Sequence, residues 1–191
     1  MPESLRDRRI EQEWLLLGKL AATNPTIVEV VRRRRLADSE DFEVRLHQTD
    51  GIPVGGEVES RIHSHEVRLS FPRFYPTSPL EAYLGKPLVH PNIDPENGFV
   101  CLWTRHGTRE TVVEALRRLQ EVISWKSFNL GTEHLMQRDA AAWRDGMEEN
   151  QPGLFPLPFA AIEEVLEFRR EKDRFRPPGR VRKRLEPLTQ K

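Results

Sequence analysis

Leu5, Ile10, Trp14, Leu17 and Leu20 recur at helical spacing among charged neighbours. This predicts an amphipathic helix over about 4–22. Ser4 is placed to cap it, with Asp7 three residues on as a weak capping-box partner, and Asn24-Pro25 closes it. Three β-like runs follow: Thr26–Val31, the alternating Phe42–His47, and about Arg61–Phe71, with Val67, Leu69 and Phe71 on one face. Asp38-Ser39-Glu40-Asp41 and the stretch Asp50–Gly56 read as their turns. The short connections predict an antiparallel meander. Residues 72–100 are rich in Pro and Gly, carry a short apolar piece at Tyr83-Leu84, and read as an irregular packed segment. Val112, Ala115, Leu116, Leu119 and Ile123 predict a helix over about 111–124, with further helices at about 136–149 and 158–174. Pro177-Pro178-Gly179 and the basic residues Arg180, Arg182, Lys183 and Arg184 read as a flexible tail. The pattern is α+β: an N-terminal helix, an antiparallel meander of about four strands, and C-terminal helices packed on one face. It divides as a domain over 1–150, a helical extension over 151–175 and a basic tail over 176–191.

Composition narrows the function classes. The chain has 191 residues and 22.3 kDa, with 37% hydrophobic and 31% charged residues, enough for one real core. Thirty Lys+Arg balance thirty Asp+Glu, which argues against whole-surface attraction to nucleic acid or anionic lipid. A single cysteine, Cys101, excludes an internal disulfide and a multi-cysteine zinc site. The charged N-terminus is no signal peptide, and no apolar stretch is long enough to span a bilayer. A cytoplasmic protein with no membrane partner is expected. His63 and His65 lie two apart on a strand without a third metal ligand, so a solvated strand face is the simpler reading. The same holds for Arg32 to Arg35, whose alternative is a grip on phosphate or an acidic partner.

The chemistry-bearing stretch is Phe71-Pro72-Arg73-Phe74-Tyr75-Pro76-Thr77-Ser78-Pro79, then His90-Pro91-Asn92-Ile93, then Gly98-Phe99-Val100-Cys101-Leu102. Here the chain resembles the ubiquitin-conjugating enzymes, which have an F-P-x-x-Y-P-x-x-P loop, an H-P-N tripeptide and a G-x-[IV]-C-L segment holding the acceptor cysteine. All three occur in the same order, and the resemblance covers roughly residues 4–149. It departs in places. His90 to Cys101 is one position longer than common in the family. The linker after Cys101 is shorter, with His106-Gly107-Thr108-Arg109 in place of a W-S-P-A-like segment. Thr77 stands where a ligase-contacting aromatic is often found.

The resemblance implies that Cys101 accepts a ubiquitin-like protein as a thioester from an activating enzyme and passes it to an amine of a target protein. No metal or organic cofactor is implied. Such work needs a thiolate on an accessible loop. Attack by the amine builds an oxyanion that an amide donor can stabilise. By resemblance Asn92 either supplies that donor or holds the nearby loop, while His90 and Pro91 look structural. Glu133 is the candidate for orienting the attacking lysine and His134 the second. The outer face of the first helix, with Arg6, Arg8 and Arg9, would meet the activating enzyme. The Arg-rich composition (24 Arg against 6 Lys) and the altered ligase surface suggest a bacterial homologue from a conjugation operon, several of which serve antiphage defence. The alternative is a non-catalytic binding module with the same fold. A cysteine-hydrolase reading requires a base such as His106 or His134 brought to the thiol. A third possibility hands the acyl group to a thiol or hydroxyl instead of an amine.

Overall fold

The computed structural model describes residues 4–105 and 107–163. Helix α1 runs Leu5–Thr23. Ser4 Oγ accepts from the Asp7 N–H at 3.1 Å, and the Asp7 carboxylate accepts from the Ser4 N–H at 3.3 Å, so the capping box closes at both ends. The buried stripe of α1 is Ile10, Glu13, Leu17 and Leu20. Leu5, expected on that stripe, is instead 78% exposed. The first turn docks through Arg6, whose guanidinium donates to the carbonyls of Phe71 and Pro72.

Strands β1 (Val28–Arg35), β2 (Ser39–Gly51), β3 (Ile62–Pro72), β4 (Glu81–Leu84) and β5 (Phe99–Val100) pair in chain order, each antiparallel to the last. The meander therefore has five strands rather than about four. The additional order lies in the segment read as irregular, where β4 and β5 are too short for their alternation to register. Ser39-Glu40-Asp41, read as a turn, opens β2: Glu40 pairs with Phe71 and Asp41 with Ser70. Both carboxylates are buried with partners, Glu40 with Arg33 and Arg35, Asp41 with the Ser70 hydroxyl, as burial of charge requires. The arginine run on β1 is likewise ion-paired rather than merely solvated. Arg32 and Arg34 meet Glu43, and Arg33 also reaches Glu11.

Helices α2 (Val112–Ile123) and α3 (Ala140–Asn150) follow. A second capping box, Thr111 with Glu114, starts α2. The helix expected from 158 does not begin there. Phe159 bridges to Thr49 and the Ala160 N–H donates to Gln48 O, so 158–160 run against the end of β2, and the N–H groups of Ile162 and Glu163 then donate to Gln120 and Asn24. The remainder of that predicted helix, and the basic tail, lie outside the described residues. The main core joins Leu17 and Leu20 of α1, Phe42 and Leu46 of β2, Leu69 and Phe71 of β3, and Leu116 and Leu119 of α2. A second cluster gathers Ile52, Val58, Trp125, Ala140, Phe155 and Leu157.

A buried carboxylate ties the N-terminal helix to the rest. Glu13 has no exposed surface. It accepts from the Tyr75 hydroxyl at 3.0 Å and from the Val112 N–H at 2.8 Å, and pairs with the Arg9 guanidinium at 2.9 Å. Burial pushes its carboxyl up, and these three donors oppose that push. Glu13→Ala is expected to cost about 3 kcal/mol in urea unfolding at neutral pH, because it strands three buried donors. Glu13→Gln is expected to cost clearly less. A loss below about 1 kcal/mol for the alanine variant would show that this network does not hold α1 to α2.

Candidate active site around Cys101

The path to Cys101 begins at a turn that only glycine can make. Gly98 has φ +74°, and a Cβ there would lie 2.2 Å from the Leu84 carbonyl oxygen. The close approach lets the Leu84 N–H donate to Gly98 O and sets β5 against β4. Asp94 braces the turn by accepting from the N–H groups of Glu96 and Asn97. Val100 and Leu102 then bury on either side of Cys101, which is itself half-buried. The thiol thus sits on an anchored stretch with one side open.

Asn92 ties this stretch to the loop that follows α2. Its backbone carbonyl accepts from the Cys101 N–H at 2.9 Å. Its side-chain NH₂ donates to the carbonyls of Asn129 (2.6 Å) and His134 (2.9 Å), and its side-chain oxygen accepts from the Asn129 N–H (2.7 Å). Both amide hydrogens are therefore engaged by the 129–134 loop. Of the two roles the sequence offers, this geometry is that of the loop holder.

His90 is wholly buried and supports Asn92 from behind. Its Nδ1 accepts from the Asn92 N–H at 3.1 Å, and its ring lies 4.6 Å from the Trp125 ring. Burial pushes its imidazole down to about 3, so the ring is neutral at physiological pH. Trp125 follows α2 with φ 62°, a left-handed conformation usually left to glycine. The tryptophan packs there against His90, Trp143 and Phe155.

The loop held by Asn92 delivers an imidazole to the thiol. His134 Nδ1 lies 3.1 Å from Cys101 Sγ. On the other side of the ring, Nε2 lies 3.3 Å from a Glu133 carboxylate oxygen. A carboxylate there favours the Nε2–H tautomer, which leaves the Nδ1 lone pair facing the thiol. Burial pushes the Cys101 thiol up, the Trp103 N–H opposes this, and the Glu133 charge adds to the rise. Burial and the Glu133 charge thus favour the thiol over the thiolate, and its sulfur meets the His134 ring.

Glu133 is largely exposed at 70%, and its carboxylate faces His134. The sequence ranked His134 behind Glu133; the structure puts the histidine on the sulfur. The resemblance offered both residues near the cysteine, with Glu133 first; which of the two meets the sulfur is set by the loop that Asn92 holds. His106, the other base considered, lies outside the described residues. Of the three arginines expected on the outer face of α1, Arg8 is exposed. Arg6 and Arg9 turn inward, Arg6 to the end of β3 and Arg9 to Glu13 and the Glu110 carbonyl. His65, read as solvated, is buried and bonds Thr49 O. Its desolvation pushes the imidazole down. Among the described residues no group of three His, Cys, Asp or Glu is placed to hold a metal, and no helix is long and apolar enough to cross a membrane.

No protein-family model matches the chain, and no curated protein matches it in sequence. Solved structures do. A structure described provisionally as a ubiquitin conjugating enzyme from Trypanosoma cruzi matches with 17% identity and a TM-score of 0.50, covering 81% of this chain and 97% of that one. The fold is that of the ubiquitin-conjugating enzymes. A second structure, described in the same provisional terms and from Plasmodium yoelii, matches with 17% identity and a TM-score of 0.49, covering 82% of this chain and 91% of that one.

The depressed His90 makes a pH prediction. Between about pH 6.5 and 3 the unfolded chain binds a proton at His90 that the folded protein does not, so its contribution to stability is lost as pH falls. The slope is up to about 1.4 kcal/mol per pH unit. His90→Asn, which keeps an acceptor for the Asn92 N–H, is expected to unfold with a shallower acid slope in urea titrations from pH 7 to 4. Parallel slopes for the two proteins would refute a neutral, buried imidazole.

Proposed function

We propose that this chain carries a ubiquitin-like protein as a thioester on Cys101 and transfers it to an amine of a target protein. The observation that carries the reading is the placement of the sole thiol. Cys101 stands half-buried and anchored after β5, in a ubiquitin-conjugating-enzyme fold, bonded to Asn92 of the H-P-N motif, in a chain that also carries that family's F-P-x-x-Y-P motif. An activating enzyme supplies the charged ubiquitin-like protein, so no cofactor is needed on this chain. In this reading Asn92 shapes the site by holding the 129–134 loop, and Glu133 guides the incoming amine from its exposed position. His90 keeps the Asn92 backbone in place. Arg8 and the solvent side of α1 form the face toward the activating enzyme, with Arg6 and Arg9 setting the pitch of the helix.

The proposal extends to setting. The excess of Arg over Lys and the altered ligase-facing positions Thr77 and 106–109 support a cytoplasmic bacterial enzyme. It would be encoded beside its ubiquitin-like protein and activating enzyme and serve antiphage defence. Residues 151–175 act in this reading as an extension of the 1–150 domain, and 176–191 as a basic tail. The Cys101–His134 contact favours a second reading, a thiol hydrolase, in which the acyl group goes to water.

The test is a thioester assay on a non-reducing gel, with the ubiquitin-like protein and activating enzyme encoded beside this chain, plus ATP. An adduct is expected that disappears with thiol reductant and with Cys101→Ala, and that Cys101→Ser converts to a reductant-resistant ester. Rapid release of free ubiquitin-like protein without amine would favour the hydrolase. No adduct from a folded protein and a charged activating enzyme would leave the non-catalytic binding module.

A further inference from the structure

Among the described residues the imidazole of His134 meets the Cys101 thiol at 3.1 Å through Nδ1. Several independent contacts build this arrangement. The His134 N–H donates to Gly131 O at 2.9 Å, closing a tight turn. The His134 carbonyl accepts from the Asn92 side chain at 2.9 Å. The Asn129 side-chain oxygen accepts from the Gly131 N–H at 2.8 Å, bracing the same turn. The far ring nitrogen faces the Glu133 carboxylate at 3.3 Å, and the His134 side chain is only 13% exposed. Backbone, ring and tautomer are each held, so the Nδ1 lone pair is aimed at the sulfur before any partner arrives.

Building on the conjugating reading, we propose that His134 is the general base and acid of the transfer, with Glu133 as the residue that positions its ring. In loading, the Cys101 S–H attacks the acyl carbon of the incoming thioester. The proton passes to His134 Nδ1 as the new S–C bond forms. The bond to the donor sulfur then breaks, and that leaving thiolate takes the proton back. In discharge, a neutral amine attacks the acyl carbon on Cys101. Its proton moves to Nδ1, the C–N bond forms, and the C–S bond breaks. Sγ leaves with the proton from Nδ1. No proton is gained or lost overall, and no oxidant or further reactant is needed. A sulfur whose thiol form is favoured by burial is a poor leaving group unless it is protonated as it departs. A positioned acid answers that requirement. The catalytic group is thus the histidine, and the carboxylate acts through it.

Two small probes test this on the full chain without any partner. The N-acetylglycine thioester of mercaptoethanesulfonate acylates Cys101 by thiol exchange, and iodoacetamide alkylates it; intact mass follows both. The wild type is expected to acylate at least about tenfold faster than His134→Gln near neutral pH. The difference should shrink as the pH is raised beyond the ordinary thiol range, where the thiol, pushed up by burial, ionises unaided. Acetylglycyl-Cys101 is expected to discharge to free lysine with the same His134 dependence. Circular dichroism and the thermal midpoint should match between the two proteins, because the loop is held by the His134 backbone rather than its ring. Equal rates and pH profiles for the two proteins would overturn the assignment. Should His134→Gln not fold, the wild-type acylation rate in heavy water decides: a slower rate supports proton transfer in the step, and an unchanged rate refutes it. Because these probes use no ubiquitin-like protein, a negative thioester gel would remove the conjugating reading and leave a histidine-dependent acylation standing.

Discussion

Asn92 bonds in two directions at once. Its carbonyl fixes the backbone of Cys101, and its side-chain amide fixes the loop that carries His134. Thiol and imidazole are 33 residues apart in the chain, and this one buried amide joins their frames. A buried amide with all its polar atoms engaged is rigid, because each lost bond leaves a desolvated group without compensation. His90 extends the same logic inward by accepting from the Asn92 N–H. Trp125 then presses on His90 from a left-handed backbone position. Strain at one residue is offset by burial of the second apolar cluster.

The rest of the molecule supplies a platform for that junction. The meander places β4 and β5 at one edge, where Gly98 allows the chain to pass against Leu84 and leads out to the thiol. Glu13 performs at the other end the kind of work that Asn92 performs at the site. It gathers donors from α1, the loop after β3 and the start of α2, and so fixes both helices against the sheet. Both are buried polar groups that specify how apolar layers meet, a task that hydrophobic contact alone leaves loosely determined. Residues 158–160 pair with the end of β2 beyond its β1 partners, and Ile162 joins the main core.

Chemically, the site pairs a thiol that burial keeps protonated with a histidine held on its sulfur. In the proposed acyl transfer, reactivity comes from proton movement at the moment of attack rather than from a standing thiolate. The Glu133 carboxylate faces the far side of that ring, and its charge adds to the upward push on the thiol.

Much of the fold was legible along the chain. The 3.6-residue recurrence of α1 and α2 and the cap of α1 are local features, and so is the alternation of β2 and β3. These arise from interactions within a few residues, which a sequence displays directly. The three motifs around Phe71, His90 and Gly98 likewise pointed to the conjugating-enzyme fold, with Cys101 as its candidate nucleophile. The short strands β4 and β5, the buried Glu13, Glu40 and Asp41, and the inward turn of Arg6 and Arg9 were not legible. Charged residues read as surface until the partner that compensates them is placed, and those partners lie on other elements. His134 is the sharpest case. In the sequence it stood second to Glu133, and only the long-range closure made by Asn92 sets its ring on the sulfur. The sequence determined which elements form and which residue carries the thiol, because both are written in local pattern. The tertiary structure decided which polar groups meet, because hydrogen bonds and ion pairs between distant segments exist only once the layers have packed.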